Sequence, residues 1–548
     1  MKMLLKSVEV TDYKSIEKSG DVSIDSMITG LVGVNESGKS AFLEAIHKSK
    51  PVFNDASFDV VTDYPRRRLV KYQKKHQDNP AVVIVTTLMF TDSEIKGLES
   101  EIGKDVMKKN AVTATTLYKG SRTIGLECDE SKYLKNLTRN FSTTAKKTIK
   151  EFQTIAECVQ ALNDHSDELG DLDQPTEEGI DKLKDMVKDC KEGWNPLKSY
   201  IFEKFVKPNE PQYLLFDEYR LIPGKINLES FLQRKTDDKM TENDRNADAL
   251  MSLADVSASD LISPASYEES VAKLEAISAE IGDQIFKFWP TDAELEILFD
   301  VKEDPQDIGE FKNGKNLYIR IRNRRHRASV LFDKRSQGFQ WFFSFLVWFE
   351  TVQNRVEQST QVTILLDEPG LNLHALAQKK LLDYLEELAC KHQILYTTHS
   401  PFMVRNDKLN RIRVVEDSVA GGTTVSDNLM GANERTLFPL QAALGYDIAQ
   451  NLFISKRNLL VEGPSELAVL TAVSSQLDSA GRQGLRSDVT VVPTGGMDKI
   501  STFIALMAGN KLKLAVLHDF RTGDDQTFQK LLTKKIIDKK VHVLLKSC

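Results

Sequence analysis

The chain contains 548 residues, which is too long for one hydrophobic core, so two or more domains are expected. Its 41% hydrophobic and 28% charged residues are ordinary for a folded soluble protein. The 73 basic and 80 acidic residues give a formal net charge of -7. The overall charge therefore does not indicate nucleic-acid binding, and only local basic patches could do so.

The cysteine pattern and the apolar runs predict a soluble cytoplasmic protein that does not cross a membrane. The five cysteines include no Cys-x-x-Cys pair, a pattern that fits neither a zinc site nor a disulfide framework. The segment Met1–Lys6 reaches a charge too early for a signal peptide. The most apolar run, Phe339–Phe349, is shorter than the roughly 20 residues of a membrane span and predicts a buried helix.

The N-terminal segment predicts the order strand, strand, loop, helix. Apolar residues dominate Leu4–Val10 and Ile28–Val34, a glycine-rich loop follows, and Ala41–Ile46 begins a helix. The β-branched residues of 81–90 predict a further strand.

The texture changes between about residues 129 and 300, where charged and polar residues at helical spacing predict a helical insertion into the surrounding fold. Within it, Lys235–Asp260 is acidic and polar, and a mobile loop or partly disordered segment is expected there. No sustained heptads occur, so a long coiled coil is not expected.

Strands and helices alternate again from 315 to 415, and a second alternation runs from about 457 to 548. Such alternation is typical of α/β domains with a mainly parallel sheet. We therefore predict an α/β fold with four regions, 1–128, 129–300 (the helical insertion), 301–445 and 446–548.

Residues 33–40 match the Walker A pattern Gly-x4-Gly-Lys-Ser between a predicted strand and a predicted helix. Gly33 and Gly38 allow the backbone to fold around phosphates, and Asn35 lies in the same ATP-binding loop. We expect Lys39 to neutralise the β- and γ-phosphates of ATP and the Ser40 hydroxyl to bind Mg²⁺.

Two segments could supply Walker B, the strand end whose aspartate holds Mg²⁺: Tyr213–Glu218 and Ile364–Glu368. Their neighbours decide between them. The second is preceded by Arg335–Gln340, the place of an ABC signature loop, and is followed by a strand that leads to His399, the place of a γ-phosphate-sensing histidine. We therefore choose the second segment and interpret Asp217-Glu218 as a structural strand end.

This order of motifs resembles ABC-type ATPases of the SMC kind. Asn35-Glu36 and Glu368–His374 resemble a narrower group, the OLD-family ATPases and related ATPases of bacterial anti-phage systems such as Gabija and Septu, the latter also found beside retrons. The resemblance covers residues 1–46 and 315–415 and implies an ABC-type ATPase head.

The chemistry of the motifs and this resemblance together imply a role for each residue. Asp367 would hold Mg²⁺ through water, Glu368 would orient or deprotonate the attacking water, and His399 would bond the γ-phosphate. Ser336 and Gly338 would complete the ATP site of a second subunit, which implies a head-to-head dimer with two ATP molecules. The usual Q-loop glutamine has no assigned counterpart, although Asp63–Arg66 lies in the right interval.

The C-terminal region resembles a Toprim domain, the Mg²⁺-dependent nuclease module of OLD-family proteins. A strand delivers Glu462 to a turn and a helix that contains Glu466, and a later strand ends at Asp519. Arg521 stands where the second aspartate of an Asp-x-Asp pair is expected, and its positive charge opposes a divalent ion. The chain also stops 29 residues after Asp519, so we expect a degenerate, truncated Toprim-like domain.

Two basic clusters could contact nucleic acid. Arg320–Arg327 carries arginines along a predicted strand, and Arg66–Lys75 forms the second cluster. Such runs are most often solvated faces, whereas contact with a phosphate backbone would produce strongly salt-dependent binding.

Three hypotheses for function remain open. The first is an ATPase of an anti-phage defence system that senses infection or nucleic acid and controls a separate partner nuclease of the HNH type, as in Septu. The second is an OLD-type Mg²⁺-dependent endonuclease that uses Glu462, Asp519 and a displaced aspartate such as Asp524 or Asp525. The third, an SMC-like DNA-repair ATPase, is disfavoured because no long coiled coil is predicted.

Overall fold

The computed structural model describes residues 3–53, 56–76, 79–149, 152–164, 173–216, 221–253, 256–263, 266–286, 295–355, 361–418, 422–427, 457–486, 488–494, 513–519 and 542–545. The chain divides into two compact units, Met1–Leu437 and Phe438–Cys548. The mixture of helices and sheets confirms the predicted α/β class.

The strands of the described residues are β1 (Leu4–Tyr13), β2 (Ile16–Lys18), β3 (Val22–Ser23), β4 (Ile28–Val32), β5 (Val82–Met89), β6 (Ala111–Leu117), β7 (Arg122–Gly125), β8 (Gln212–Phe216), β9 (Lys225–Asn227), β10 (Leu295–Lys302), β11 (Asn316–Asn323), β12 (Ala328–Leu331), β13 (Val362–Leu366), β14 (Gln393–Thr398), β15 (Ile412–Ser418), β16 (Gly422–Ser426), β17 (Arg457–Val461), β18 (Val489–Pro493), β19 (Lys513–Asp519) and β20 (His542–Leu545).

The α-helices of the same residues are α1 (Lys39–Ser49), α2 (Val60–Asp63), α3 (Leu69–Lys75), α4 (Asp92–Ile102), α5 (Glu130–Leu137), α6 (Thr143–Ile149), α7 (Ile155–Asp164), α8 (Gln174–Lys188), α9 (Pro196–Ile201), α10 (Leu228–Thr236), α11 (Glu242–Leu253), α12 (Ala258–Ile262), α13 (Tyr267–Phe286), α14 (Gln337–Arg355), α15 (Ala375–Ala389) and α16 (Pro464–Ser479). None of them is long and apolar enough to span a membrane.

The central sheet of the first unit has the order β16-β15-β4-β14-β13-β8. Its strands are parallel except for the antiparallel pair β15–β16. Every residue of β4, β13 and β14 is buried, as expected for parallel strands covered on both faces. Because the carboxyl ends of parallel strands meet at one edge, the residues that follow these three strands are brought together.

The two faces of the central sheet pack into two hydrophobic cores. Leu365 and Leu395 face the core shared with the antiparallel sheet β2-β1-β5-β6-β7, to which β3 adds through β1. Ile364 and Ile394, their neighbours in sequence, face the second core. Helix α14 supplies seven buried aromatic rings to that second core, which confirms the predicted buried helix.

The region 129–300 contains helices α5–α13, but it is not a continuous helical insertion. Strand β8 lies in this interval and extends the central sheet beside β13. Strands β9 and β10 join β11 and β12 in a separate antiparallel sheet. The insertion is therefore interrupted by sheet strands, which the helical spacing of charged residues did not indicate.

The expectation of a mobile or disordered segment over Lys235–Asp260 is wrong for its described residues, since most of them lie in α11 and α12. Ion pairs across the turn between α10 and α11 account for the order. Arg234 Nη2 lies 2.6 Å from Asp244 Oδ1, and Lys235 Nζ lies 2.6 Å from Asp248 Oδ1. The acidic residues are thus neutralised by the end of the preceding helix.

The second unit contains the parallel sheet β18-β17-β19-β20, with α16 between β17 and β18. The predicted mainly parallel C-terminal sheet is confirmed. The second helix predicted for this region falls at 495–512 or beyond, outside the described residues.

Candidate nucleotide site

The loop between β4 and α1 is shaped by two glycines that admit no side chain. A Cβ on Gly33 would lie 2.4 Å from the Val415 carbonyl oxygen. Gly38 has a φ of 96°, and a Cβ there would lie 2.4 Å from Thr423 Oγ1. Val415 and Thr423 belong to the β15–β16 hairpin, which supports the loop from behind, while Asn35 lies at its exposed tip. Only glycine fits both closely packed positions, as a phosphate-binding loop requires.

Lys39 directs its charge into this loop. Its side chain is only 5% exposed, and Nζ donates to the carbonyl oxygens of Gly33, at 3.0 Å, and Val34, at 2.9 Å. The same Nζ lies 3.2 Å from Glu368 Oε1. A buried ammonium held by the loop and one carboxylate is suited to binding an anion at this point.

Ser40 and Asp367 meet where α1 begins and β13 ends. Ser40 Oγ donates to Asp367 Oδ1 at 3.0 Å, and Thr397 Oγ1 donates to the same oxygen at 2.6 Å. Hydroxyl and carboxylate oxygens are the donors that Mg²⁺ prefers, so this pair fits a magnesium ion. Within the described residues no group of three or more His, Cys, Asp or Glu side chains could hold a metal ion.

Glu368 stands between the lysine and the histidine. Its φ of 46° lies in the left-handed region, where non-glycine residues are uncommon, and its N–H donates to Thr397 Oγ1 at 2.7 Å. Oε1 faces Lys39, while Oε2 lies 3.0 Å from His399 Nδ1 and accepts from the His399 N–H at 3.3 Å. The strained backbone therefore holds the carboxylate between two groups expected to face the γ-phosphate.

The structure does not bring Ser336 and Gly338 to the Gly33–Ser40 loop of their own chain. Ser336 is exposed at the start of α14, and no hydrogen bond in the described part of the chain joins either residue to that loop. Gly338 packs instead on the segment after Glu368: a Cβ there would lie 2.7 Å from the Asn372 carbonyl oxygen and 2.6 Å from Leu373 Cδ2. The signature segment thus packs against the loop that follows Glu368.

A family model described as the AAA ATPase domain matches residues 3–404, well over half of the sequence. The chain belongs to the AAA ATPase domain family. A second model, the Overcoming lysogenization defect protein-like Toprim domain, matches residues 453–520. The resemblance to OLD-family ATPases with a C-terminal Toprim domain is therefore confirmed.

Two curated relatives match parts of the ATPase chain. An uncharacterized protein of Methanocaldococcus jannaschii is 28% identical over 169 residues, 31% of this chain and 42% of that protein. The OLD nuclease of Thermus scotoductus is 26% identical over 261 residues, 46% of each protein. The chain thus spans less than half the length of the curated relatives it matches.

Among solved structures, the Smc head domain of Pyrococcus furiosus with an extended coiled coil, bound to the C-terminal domain of ScpA, is 16% identical. The match covers 77% of this chain and 96% of that one with a TM-score of 0.33.

In the Toprim domain two of the predicted site residues lie at the same end of the sheet. Glu462 is half-buried directly after β17, and Asp519 is the last residue of the adjacent parallel strand β19. Arg521 lies outside the described residues. Glu466 caps its own helix, because its Oε2 accepts from the Gly463 N–H at 2.8 Å, and backbone N–H groups of Glu466 and Gly463 hold its pKa below the usual 4.5.

The ATPase site includes two residues that sequence reasoning missed. Thr397 links Asp367 to the Glu368 backbone, although its place in Thr397-Thr398-His399-Ser400 was a local signal. Gln378 is 5% exposed on α15, donates to the Gly370 carbonyl oxygen at 2.8 Å and accepts from Ser400 Oγ at 2.6 Å. Gln378 therefore connects the loop after Glu368, on which Gly338 packs, to the loop that carries His399. No feature of the sequence indicated this role of Gln378.

The structure also gives the surroundings of the segments left open. Asp63, in the interval searched for a Q-loop, is buried and accepts twice from Lys48 Nζ, at 2.9 Å each. In the basic cluster Arg66–Lys75, Arg68 pairs with Asp12 and Glu17, and Arg67 pairs with Glu17. Asp217 and Glu218 lie outside the described residues, beyond the end of β8.

Proposed function

We propose that the chain hydrolyses ATP with Mg²⁺ at an ABC-type site that a second copy of the chain completes. The observation that carries the proposal is the convergence of three separate motifs on Glu368. Its Oε1 lies 3.2 Å from Lys39 Nζ, and its Oε2 lies 3.0 Å from His399 Nδ1. The match of the ATPase family model to residues 3–404 supports it.

Each residue has a role in this proposal. Ser40 and Asp367 hold Mg²⁺, which neutralises charge on the β- and γ-phosphate oxygens when it is bound. Lys39 leaves the carbonyls of its loop for the phosphates, and Glu368 orients or deprotonates the attacking water. His399 contacts the γ-phosphate, so the glutamate and the histidine together register whether that phosphate is present.

The position of the signature segment supports a dimer. Ser336 is exposed and has no hydrogen bond to its own phosphate-binding loop, so its hydroxyl is available to a nucleotide held by another subunit. A head-to-head dimer with twofold symmetry places each signature segment over the partner's loop and yields two equivalent composite sites.

We further propose that ATP turnover is the switch of an anti-phage defence system and that a separate nuclease of the HNH type, as in Septu, performs the cutting after infection or nucleic acid is sensed. Arg521 motivates the separate partner, since a guanidinium at the second position of Asp-x-Asp repels the divalent ion that Toprim cleavage needs.

Phosphate release by the purified chain tests the ATPase proposal. We expect Mg²⁺-dependent turnover that rises with chain concentration as dimers form, and that is lost when Lys39→Ala removes the phosphate-binding charge. Turnover that persists in this variant, or that needs no divalent ion, would contradict the proposal.

A second candidate function is intrinsic OLD-type endonuclease activity. The Toprim match over 453–520 and the placement of Glu462 and Asp519 at the ends of adjacent parallel strands favour it. Incubation of the chain alone with plasmid DNA or RNA and Mg²⁺ or Mn²⁺, with and without ATP, separates the candidates. Cleavage that Glu462→Ala abolishes would establish the intrinsic nuclease and remove the need for a partner.

A further inference from the structure

The hairpin of β11 and β12 carries three arginines in or beside its turn, Arg322, Arg325 and Arg327, which we call the basic tip. Asn323 pairs with Ala328, so residues 324–327 form a tight turn, and Arg327 adopts a φ of 52° within it. Arg320, two residues before Arg322 on β11, donates to both Ser329 Oγ and the Ser329 carbonyl oxygen. These two hydrogen bonds link β11 to β12. The hairpin that carries the basic tip is therefore stabilised by side-chain as well as backbone hydrogen bonds between its strands.

The three guanidinium groups of the basic tip are exposed, and none forms a hydrogen bond or ion pair within the described part of the chain. One carboxylate lies nearby: Glu296 is the cross-strand partner of Arg322, and it is bound by Arg324. By contrast, Arg67 and Arg68 of the other basic cluster are neutralised by Asp12 and Glu17. Unlike those two arginines, the three arginines of the basic tip form no ion pair with a carboxylate within the described residues.

We propose that the basic tip binds the phosphate backbone of a nucleic acid. The turn from Asn323 to Arg327 contains only polar and charged side chains, whereas the centre of a protein interface is usually apolar or aromatic. Binding to a phosphate backbone needs no apolar anchor, because release of counterions from the nucleic acid supplies the affinity. Guanidinium groups also bind phosphate oxygens in a bidentate manner.

The basic tip is connected to the candidate ATP site by a short path. The four residues of β12 lead from the turn to a 3-10 turn at Phe332–Lys334, and Ser336 follows two residues later. Only β12 and this 3-10 turn therefore separate the basic tip, along the chain, from the segment that completes the partner's ATP site in the proposed dimer. The binding itself does not depend on that proposal.

The test is fluorescence anisotropy of the full chain with a labelled DNA duplex or RNA of about 30 nucleotides per strand, between about 50 and 200 mM salt. The basic-tip variant is Arg322→Ala/Arg325→Ala/Arg327→Ala. Its control, Lys96→Ala/Lys104→Ala/Lys108→Ala, removes the same charge from exposed lysines whose side chains have no partner in the described part of the chain. Phosphate release without nucleic acid is measured for all three proteins.

We expect the basic-tip variant to bind at least about tenfold more weakly than the wild type, with a plot of log K against log salt that is about 2 to 3 units shallower. The control should stay within about twofold of the wild type, since it leaves the phosphate contacts intact. An equal loss in the control, an unchanged basic-tip variant, or no nucleic-acid binding by the wild type would overturn the proposal.

Competition with polyglutamate distinguishes a protein partner from a nucleic acid. If polyglutamate displaces the labelled duplex as effectively as unlabelled duplex at equal charge, the basic tip recognises acidic chains in general and the proposal is wrong. If the wild-type chain binds nucleic acid in a salt-dependent manner but does not hydrolyse ATP, only the ATPase proposal is refuted. Failure of the ATPase proposal is therefore distinguishable from failure of the nucleic-acid proposal.

Discussion

The ATPase site and the Toprim residues differ in how the fold uses their carboxylates. In the first, Asp367 and Glu368 are bound by groups from two other segments: Ser40 and Lys39 at the loop, Thr397 and His399 at the next strand end. In the second, Glu466 caps its own helix. Long-range contacts converge in the ATPase site, whereas this glutamate serves local structure.

This difference indicates where function should be sensitive to single changes. Removing a group from a converging set leaves its buried partners unpaired, which affects both geometry and charge. Removing a helix cap mainly weakens the helix that it caps. The comparison therefore predicts large catalytic effects in the first unit and a small stability effect at Glu466.

The largest effect is expected for Glu368→Gln. The amide keeps the size of the side chain but cannot accept a proton from water, so turnover should fall by a factor on the order of 10² to 10³ or more while ATP binding is retained. Phosphate release and nucleotide binding are measured side by side. Glu387→Gln, an exposed glutamate on α15, is the matched control, and a Glu368→Gln protein with normal turnover would remove Glu368 from catalysis.

A smaller effect is expected for Gln378→Ala. The change leaves the Gly370 carbonyl oxygen and the Ser400 hydroxyl without their partner, so kcat should fall by about tenfold, while KM for ATP changes little because no phosphate contact is lost. Gln174→Ala, on the surface of α8, serves as the control. If kcat/KM and folding stability both fall while kcat is unchanged, Gln378 has only a structural role.

The smallest effect is expected for Glu466→Ala, which should lower the free energy of unfolding of the C-terminal unit by about 0.5 to 1 kcal/mol, as loss of a cap does. Because the folded-state pKa of Glu466 lies below 4.5, its contribution is present above that value and is lost as pH falls through the folded pKa. Urea unfolding at neutral and acid pH measures this. An unfolding free energy that the substitution leaves unchanged at neutral pH would contradict the capping role.

Motif residues that act next to their strand or helix ends could be predicted from the sequence, because β4, β13 and β14 each contain a short apolar run and the motif residues follow those runs. The bond from Ser400 to Gln378 could not, since a glutamine within an amphipathic helix has no distinguishing pattern. Likewise, the polar segment that forms α11 depends on ion pairs to Arg234 and Lys235. Composition alone does not show which charges will be paired.

The choice between two Asp-Glu pairs shows what chain order can and cannot supply. Strands β8 and β13 are neighbours in one sheet, and their last residues, Phe216 and Leu366, are paired in register, so each Asp-Glu pair follows one of two adjacent strands in the sequence. The sequence distinguished them through the signature segment that precedes Ile364 and the histidine that follows Glu368. The contacts of Asp367 with Ser40 and Thr397 required the folded sheet.

The central claim, that a second subunit completes each ATP site, is tested most directly by mixing two inactive variants. Lys39→Ala lacks the phosphate-binding lysine, and Ser336→Arg blocks the signature segment. Each alone should be inactive, whereas a one-to-one mixture should recover about a quarter of wild-type turnover, because half of randomly formed dimers contain one intact site of two. No recovery in the mixture, or full turnover by Ser336→Arg alone, would contradict the composite site.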